Sequence, residues 1–455
     1  MTGLRRVLGL PGLVLFGLVY LVPLTVFTTY GLVSLETGGR LPAAYLLTLI
    51  AMLFTAFSYA VMGRVLPTAG SAYAFASHAF GARLGFLAGW ALLLDYLFLP
   101  MINYLVIGIY LAAEFPAVPT GIFIGACIAL VSVLNVVGIT SIHRANAVLI
   151  AAQAMFVLTF LACTVRHAAG EPSLDLLGPL VGSSAYAANG VDPSVGWAPL
   201  LSGAAVLCLS FLGFDAVSTL AEEASNPTRD IPRAILWVTL GGGVLFIVLA
   251  YGAHLVLPAP TCLPATAPGC TFADDGALEV MRVAGGRFLR SFFVAAFVGG
   301  AFGSALTAQA SVCRILYAMG REGVLPRRWF GRLVPRFQTP VPAIVTVSVL
   351  SLGVLWIDLG TLASMISFGA LVAFSVVNLS VIKHHVIDRR QRGPRALLLH
   401  GLMPLVGGAL TAWLWSSLQR QSLLIGVSWL ALGLLYLLIL TRGLRRPLPA
   451  AMPIE

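Results

Sequence analysis

The chain has 455 residues, of which 59% are hydrophobic and only 10% charged, with a mean hydropathy of +0.96. A soluble protein needs about a quarter of its residues charged to wet its surface; 17 acidic and 27 basic residues cannot do so at this size. Disorder, collagen, coiled coil and nucleic-acid binding each require charge, a repeat or a basic face. An integral membrane protein remains, and the net charge of +10 becomes a clue to topology.

Crossing about 30 Å of hydrocarbon takes about 20 apolar residues in a helix. Twelve such stretches occur, at 10–34, 42–62, 85–113, 119–139, 146–166, 199–220, 234–257, 288–318, 341–357, 361–383, 397–416 and 422–441. No alternating strand pattern appears, which leaves helices as the spanning structure. The fold class is an all-α integral membrane protein with 12 transmembrane helices. The first stretch follows Arg5 and Arg6 without a small-residue cleavage site, so it reads as a retained helix rather than a signal peptide. Small residues every fourth position (Gly81, Gly85 and Gly89; Gly121 and Gly125; Gly299 and Gly303) suit close helix packing.

Basic residues set the orientation. One face collects Arg5, Arg6, Arg64, Arg83, Arg144, Arg229, Arg233, the arginines from Arg314 to Arg336, Lys383, Arg389, Arg390, Arg392, Arg395, Arg442, Arg445 and Arg446. Only Arg40, Arg166, Arg282, Arg287, Arg290 and Arg420 fall on the other. The bias places both termini in the cytoplasm and the loops holding Asp175, Asp192, Cys262, Cys270, Asp274 and Asp275 outside. Cys262 and Cys270 share one such loop, where a disulfide can form.

Two spans are interrupted near mid-depth. Pro23 breaks Tyr20-Leu21-Val22-Pro23-Leu24-Thr25, because it removes a hydrogen bond and clashes with the preceding turn. Gly213 and Asp215 break Ser210-Phe211-Leu212-Gly213-Phe214-Asp215. Alone, each is a kink. Together they open two five-helix units of opposite orientation, the pattern that marks the binding site of many transporters. The organisation that follows is a first repeat over 1–170, an external loop over 171–198, an inverted second repeat over 199–385, and two further helices with a cytoplasmic tail over 386–455.

Asp95 and Asp215 are the acids well inside spans, with no lysine or arginine at comparable depth. A carboxylate there costs several kcal/mol unless paired, solvated or protonated, so a small cationic substrate or a proton is the expected partner. The plainer readings are a protonated Asp95 bonded to a neighbouring helix and an Asp215 that caps a half-helix. Pro100 frees the carbonyl of Tyr96 beside Asp95, with Asn103 nearby. Tyr20, Phe27, Tyr96, Phe98, Phe211 and Phe214 could box a cation, Phe211 and Phe214 foremost. The seven histidines fall in loops or near span ends and offer no relay. No phosphate loop, metal motif or nucleophile–base pair occurs, so no catalytic residue, metal, cofactor or enzymatic activity is expected.

Three segments resemble the amino acid–polyamine–organocation (APC) transporter superfamily. They are Leu66-Pro67-Thr68-Ala69-Gly70-Ser71-Ala72-Tyr73, Phe211 to Asp215 continuing through Asn226-Pro227 to Arg233, and Leu316 to Pro326. The resemblance implies a LeuT-type inverted five-plus-five fold with helices 1 and 6 discontinuous and two helices added. Tyr20 to Phe27 and Leu94 to Asn103 are closest to bacterial putrescine importers.

Amino-acid members have a glycine-rich first-helix break whose N–H groups hold a carboxylate. Here the break is Leu21-Val22-Pro23-Leu24, without glycine and short of one N–H. A diamine fits it better. The expected function is import of a small polyamine, putrescine first, by alternating access on the proton gradient or membrane potential. Tyr20, Val22, Pro23, Leu24, Thr25, Asp95, Tyr96, Asn103, Ser210, Phe211, Leu212, Gly213, Phe214 and Asp215 are the expected substrate-binding residues. Asp215 and Asp95 are also the proton-coupling candidates. The alternative is an amino acid permease or amine/amino acid exchanger of the same fold. Some proton-coupled relatives carry a lysine in helix five; this chain does not, and sodium stays open through Ser304, Thr307 and Ser311. The oligomeric state is not legible.

Overall fold

A computed structural model describes residues 8–67, 71–137, 142–170, 175–182, 196–221, 223–260, 270–321, 323–334, 339–443 and 445, with the backbone alone at 142–150, 318 and 321. Much of the external loop expected at 171–198, Cys262 and the tail beyond residue 445 lie outside the described residues.

The first span is α1 (Leu10–Leu21), a tight turn over Pro23–Phe27, and α2 (Tyr30–Thr37). Next come α3 (Leu41–Val65), α4 (Ser71–Phe80), α5 (Ala82–Glu114), α6 (Thr120–Val137) and α7 (Ile142–Gly170). The sixth span is α8 (Ala198–Leu207) followed by 3-10 turns over Cys208–Phe211 and Ala216–Leu220. The rest comprises α9 (Pro227–Val256), α10 (Phe272–Arg321), α11 (Val341–Ser351), α12 (Leu359–Val381), α13 (Met403–Ser416) and α14 (Arg420–Leu440). Prolines near the starts of α1, α3 and α9 sit where the missing N–H costs nothing. Asp358 caps α12 by accepting the Thr361 N–H at 2.8 Å.

Among the described residues, eleven helices are long and apolar enough to cross a membrane. The ninth expected stretch, 341–357, is a shorter apolar helix, Val341–Trp356, whose end tightens into a 3-10 turn. Three further differences from the sequence reading have local causes. Ser71–Phe80 is helical because Ala72, Phe75, Ala76 and Ala79 fall on one buried face. The eighth span starts at Phe272, ahead of 288, with a break at Gly285 and Gly286, where Gly286 has φ 66°. Helix α12 continues as a π-helix over Ile382–Asp388.

Helix α9 runs along α3, and α10 along α5, while α12 packs on both α3 and α5. Glycines let these helices meet. A β-carbon on Gly243 would lie 2.4 Å from Leu49, and one on Gly85 would lie 1.9 Å from the Ser77 hydroxyl, so the small-residue spacing there is filled by packing.

Histidines are less dispersed than the sequence suggests. His78 Nε2 lies 3.3 Å from His384 Nδ1, the rings of His385 and His400 stack at 4.0 Å, and Gln391 bridges the latter pair at 3.2 Å from each. This group ends α12, about 20 Å along the helix from Gly369, which packs on Asp95. It does not reach Asp95. Cys270 is disulfide-bonded, whereas Cys127, Cys163, Cys208 and Cys313 are free.

Candidate substrate site

Helix α1 ends at Leu21 because the next residue, Val22, takes φ 48°, and Pro23 cannot supply an N–H to the helix behind it. In the sixth span Leu212 is extended and Gly213 takes φ 132°, a region closed to side-chain-bearing residues at low cost. The two breaks touch. A β-carbon on Gly213 would stand 2.9 Å from Tyr20 Cδ1 and 3.0 Å from the Leu21 nitrogen.

Asp95 sits within α5 and Asp215 follows the second break; each is only 4% exposed. The carboxyls are near enough to interact electrostatically, and the Tyr20 and Tyr96 hydroxyls interact with both. Asp215 Oδ1 accepts the Gly213 N–H at 3.1 Å, so its carboxyl braces the break. Asp95 Oδ1 is buried and has no hydrogen-bond partner among the described residues. None of the described salt bridges involves either acid. Pro100, inside α5, leaves the Tyr96 carbonyl without its helical donor.

Three cavities meet at Tyr20. The largest, about 460 Å³, is lined by Phe16, Tyr20, Trp90, Tyr96, Ala216 and Arg314, among others. It lies among the second half of α1, the first half of α5 and the last part of α10, toward the face on which α1 begins and α14 ends, and it reaches the exposed side chains of Tyr73 and Arg314. Two smaller ones, about 90 and 30 Å³, flank Val22. The first touches Pro23, Gln153, Ser304 and Thr307; the second touches Thr25, Asn103, Leu212 and Ser304. Toward the opposite face the path is filled by aromatic rings. Phe27 meets Phe160 at 5.4 Å and Phe293 at 5.3 Å edge-on, and the Tyr110 hydroxyl donates to the Phe27 carbonyl at 2.7 Å.

The structure therefore gathers Tyr20, Val22, Pro23, Thr25, Tyr96, Asn103 and Leu212 around three cavities that share Tyr20; Asp95, Gly213 and Asp215 line none of the three themselves but adjoin Tyr96, Leu212 and Ala216, which do. Leu24 is fully buried in the hydrophobic core and lines none of the three. Ser210 is bonded to the Tyr45 hydroxyl at 2.9 Å. Phe211 packs edge-on against Phe246 at 5.5 Å, and Phe214 packs against Tyr59 at 5.5 Å and Phe374 at 5.1 Å. The expectation that Phe211 and Phe214 box a cation is not met in this conformation: the positive φ at Gly213 turns the chain so that both flanking rings enter the core. Asn103 is engaged too, donating to the Leu99 carbonyl at 3.0 Å and the Ser304 hydroxyl at 3.2 Å. Thr307 and Ser311 donate to carbonyls of their own helix at 3.0 and 2.9 Å.

Gln153 escaped the sequence reading. It is buried, its Oε1 has no partner among the described residues, and it presses on Gly300 so closely that a β-carbon there would stand 2.0 Å from Nε2. A lone amide in an apolar span was the available signal. No group of described histidine, cysteine or acidic residues could hold a metal ion.

Over nearly its full length the chain resembles known transporters. It is 36% identical to the low-affinity putrescine importer PlaP of Escherichia coli (strain K12), covering 98% of this chain and 96% of that one. The branched-chain amino acid permease BcaP and the methylthioribose transporter, both of Bacillus subtilis (strain 168), are each 26% identical over 96% of this chain and 94% of theirs. With the family's sequence profile matching residues 13–440, from within α1 to the last residue of α14, the chain belongs to the amino acid permease family, a family of membrane transporters.

Proposed function

We propose that this chain imports a small diamine, putrescine first, across a bacterial inner membrane by alternating access. The observation that carries the reading is the buried Asp95 carboxyl, one oxygen unpartnered, within electrostatic range of Asp215 and unpaired with any described lysine or arginine. Such a pair is costly in a membrane until a cation or protons arrive. A diamine brings two positive ends, one for each acid, or one acid binds while the other carries a proton. The relative named as a putrescine importer supports the same substrate class.

The fold in this reading is the LeuT-type inverted five-plus-five repeat with two added helices, twelve in all, and with spans 1 and 6 discontinuous. Two features support it. The breaks fall in the first and sixth spans and face one another. The helices that would correspond in two copies, α3 with α9 and α5 with α10, pair in contact. Val341–Trp356 serves as the ninth span: part α and part 3-10, it is about 26 Å long, short of a bilayer by little. The termini are cytoplasmic by the basic-residue bias. The large cavity then faces the cytoplasm, and the aromatic packing around Phe27 closes the outside. Each positive charge moved inward gains about 2.3 kcal/mol per 100 mV of potential, so a dication is drawn inward without a coupling ion.

An amino acid permease or exchanger is the second reading, favoured by the amino acid permeases among the relatives. It needs backbone N–H groups for a carboxylate, and Val22 and Pro23 hinder that. Uptake of labelled putrescine into liposomes, challenged with unlabelled diamines and with leucine or lysine, decides between them. Displacement by diamines supports the proposal; displacement by amino acids alone refutes it.

A further inference from the structure

The largest cavity, lined by Tyr96 and Ala216 next to Asp95 and Asp215 in the chain, has one charged side chain among its described lining residues, Arg314. Its guanidinium is exposed and forms none of the described salt bridges or hydrogen bonds. Thr307, Ser311 and Arg314 stand four and three residues apart on α10, hence on one face. Thr307 reaches the small cavity beside Val22 and Pro23, and Arg314 lies about 10 Å farther toward the mouth. At the inner end of the same cavity are Tyr20 and Tyr96, whose hydroxyls are within range of both acids. A cation that leaves the acids through this cavity passes the guanidinium. Phe16, Phe86, Trp90 and Leu93 wall the route and keep solvent from screening the encounter fully.

We infer that Arg314 is a release and specificity residue: its fixed positive charge repels a diamine from the vestibule, weakens binding from the α1-start face, and so favours discharge over re-entry. The inference rests on the amine-import reading. It also gives the lone guanidinium a use that spares the acids, because the charge stays at the mouth and leaves the site free for the substrate. At a separation of about 10 Å in a partly hydrated channel, the repulsion of a dication is on the order of tenfold in binding.

Membrane vesicles of both orientations provide the test, with the half-saturation for labelled putrescine measured on each face. In R314Q the half-saturation on the α1-start face is expected to fall about tenfold, while the other face changes less than twofold; R314K behaves as wild type. Because repulsion scales with substrate charge, the monocation butylamine should shift only about threefold. R314M, a second neutral variant, stands in should R314Q not insert. An unchanged α1-start face, an equal shift on both faces, or equal shifts for mono- and dication overturns the inference and leaves the import reading standing. Failure of wild-type protein to transport putrescine overturns both.

Discussion

Gly213 and Tyr20, from the two broken spans, are in such close contact that a β-carbon on the glycine would stand 2.9 Å from the tyrosine ring. The same glycine has φ 132° and gives its N–H to Asp215. One residue thus sets the conformation of the second break, its distance from the first, and the aim of an acid. Gly213→Ala combines backbone strain with a clash, and about 2–3 kcal/mol of destabilisation is expected. Thermal unfolding in detergent, compared with wild type, checks it; an unchanged midpoint contradicts the close approach.

Gly369 of α12 plays a similar part for the other acid. A β-carbon there would lie 2.8 Å from the Ala91 carbonyl oxygen and 3.1 Å from the Asp95 nitrogen, both backbone atoms that cannot swing aside. Gly369→Ala should push α5 and displace Asp95 by a fraction of an ångström, with transport efficiency falling about tenfold. Initial uptake rates over a range of putrescine concentrations measure this.

The aromatic residues should divide by where they point. Tyr96 lines the main cavity, and Tyr96→Leu should raise the half-saturation roughly three- to tenfold, the range of a cation–π contact. Phe214 lies between Tyr59 and Phe374, so Phe214→Ala should cost about 3 kcal/mol of stability. If Phe214→Ala instead impairs affinity at unchanged stability, Phe214 faces the substrate in another state of the cycle.

A buried polar network joins four helices away from the acids. The Tyr104 hydroxyl donates to Gln309 Oε1 at 3.0 Å, and Gln309 Nε2 donates to the Ser348 hydroxyl at 2.9 Å and to Ser132 at 3.4 Å. Gln309→Leu strips several groups of their partner at once, and about 2–3 kcal/mol of stability should be lost with little change in half-saturation. Thermal unfolding and uptake, measured on the same preparation, separate the two effects.

Hydropathy is a sum over many residues, so the spans were legible, and Pro23 and Gly213 announced the breaks because no other residue types have those backbone limits. The burial of Asp95 and Asp215 followed from their place inside long apolar stretches. Rotation about a break was not legible: Phe211 and Phe214 neighbour the site in sequence, yet both turn into the core. Nor were contacts between distant segments, such as Gln153 on Gly300 or the meeting of His78, His384, His385 and His400, because a single sequence carries no record of which helix faces meet. Ser71–Phe80 escaped because its buried face is built mainly of alanine, which gives a weak periodic signal.

The most direct measurement is binding of labelled putrescine to purified wild-type protein and to the Asp95→Asn, Asp215→Asn double variant. Asparagine can still accept the Gly213 N–H, so the second break keeps its brace while both negative charges are removed. Saturable binding in wild type and affinity at least about a hundredfold weaker in the double variant, with the folded protein intact, is the expected result. Equal affinity in the two proteins would contradict the assignment of these carboxyls to the substrate.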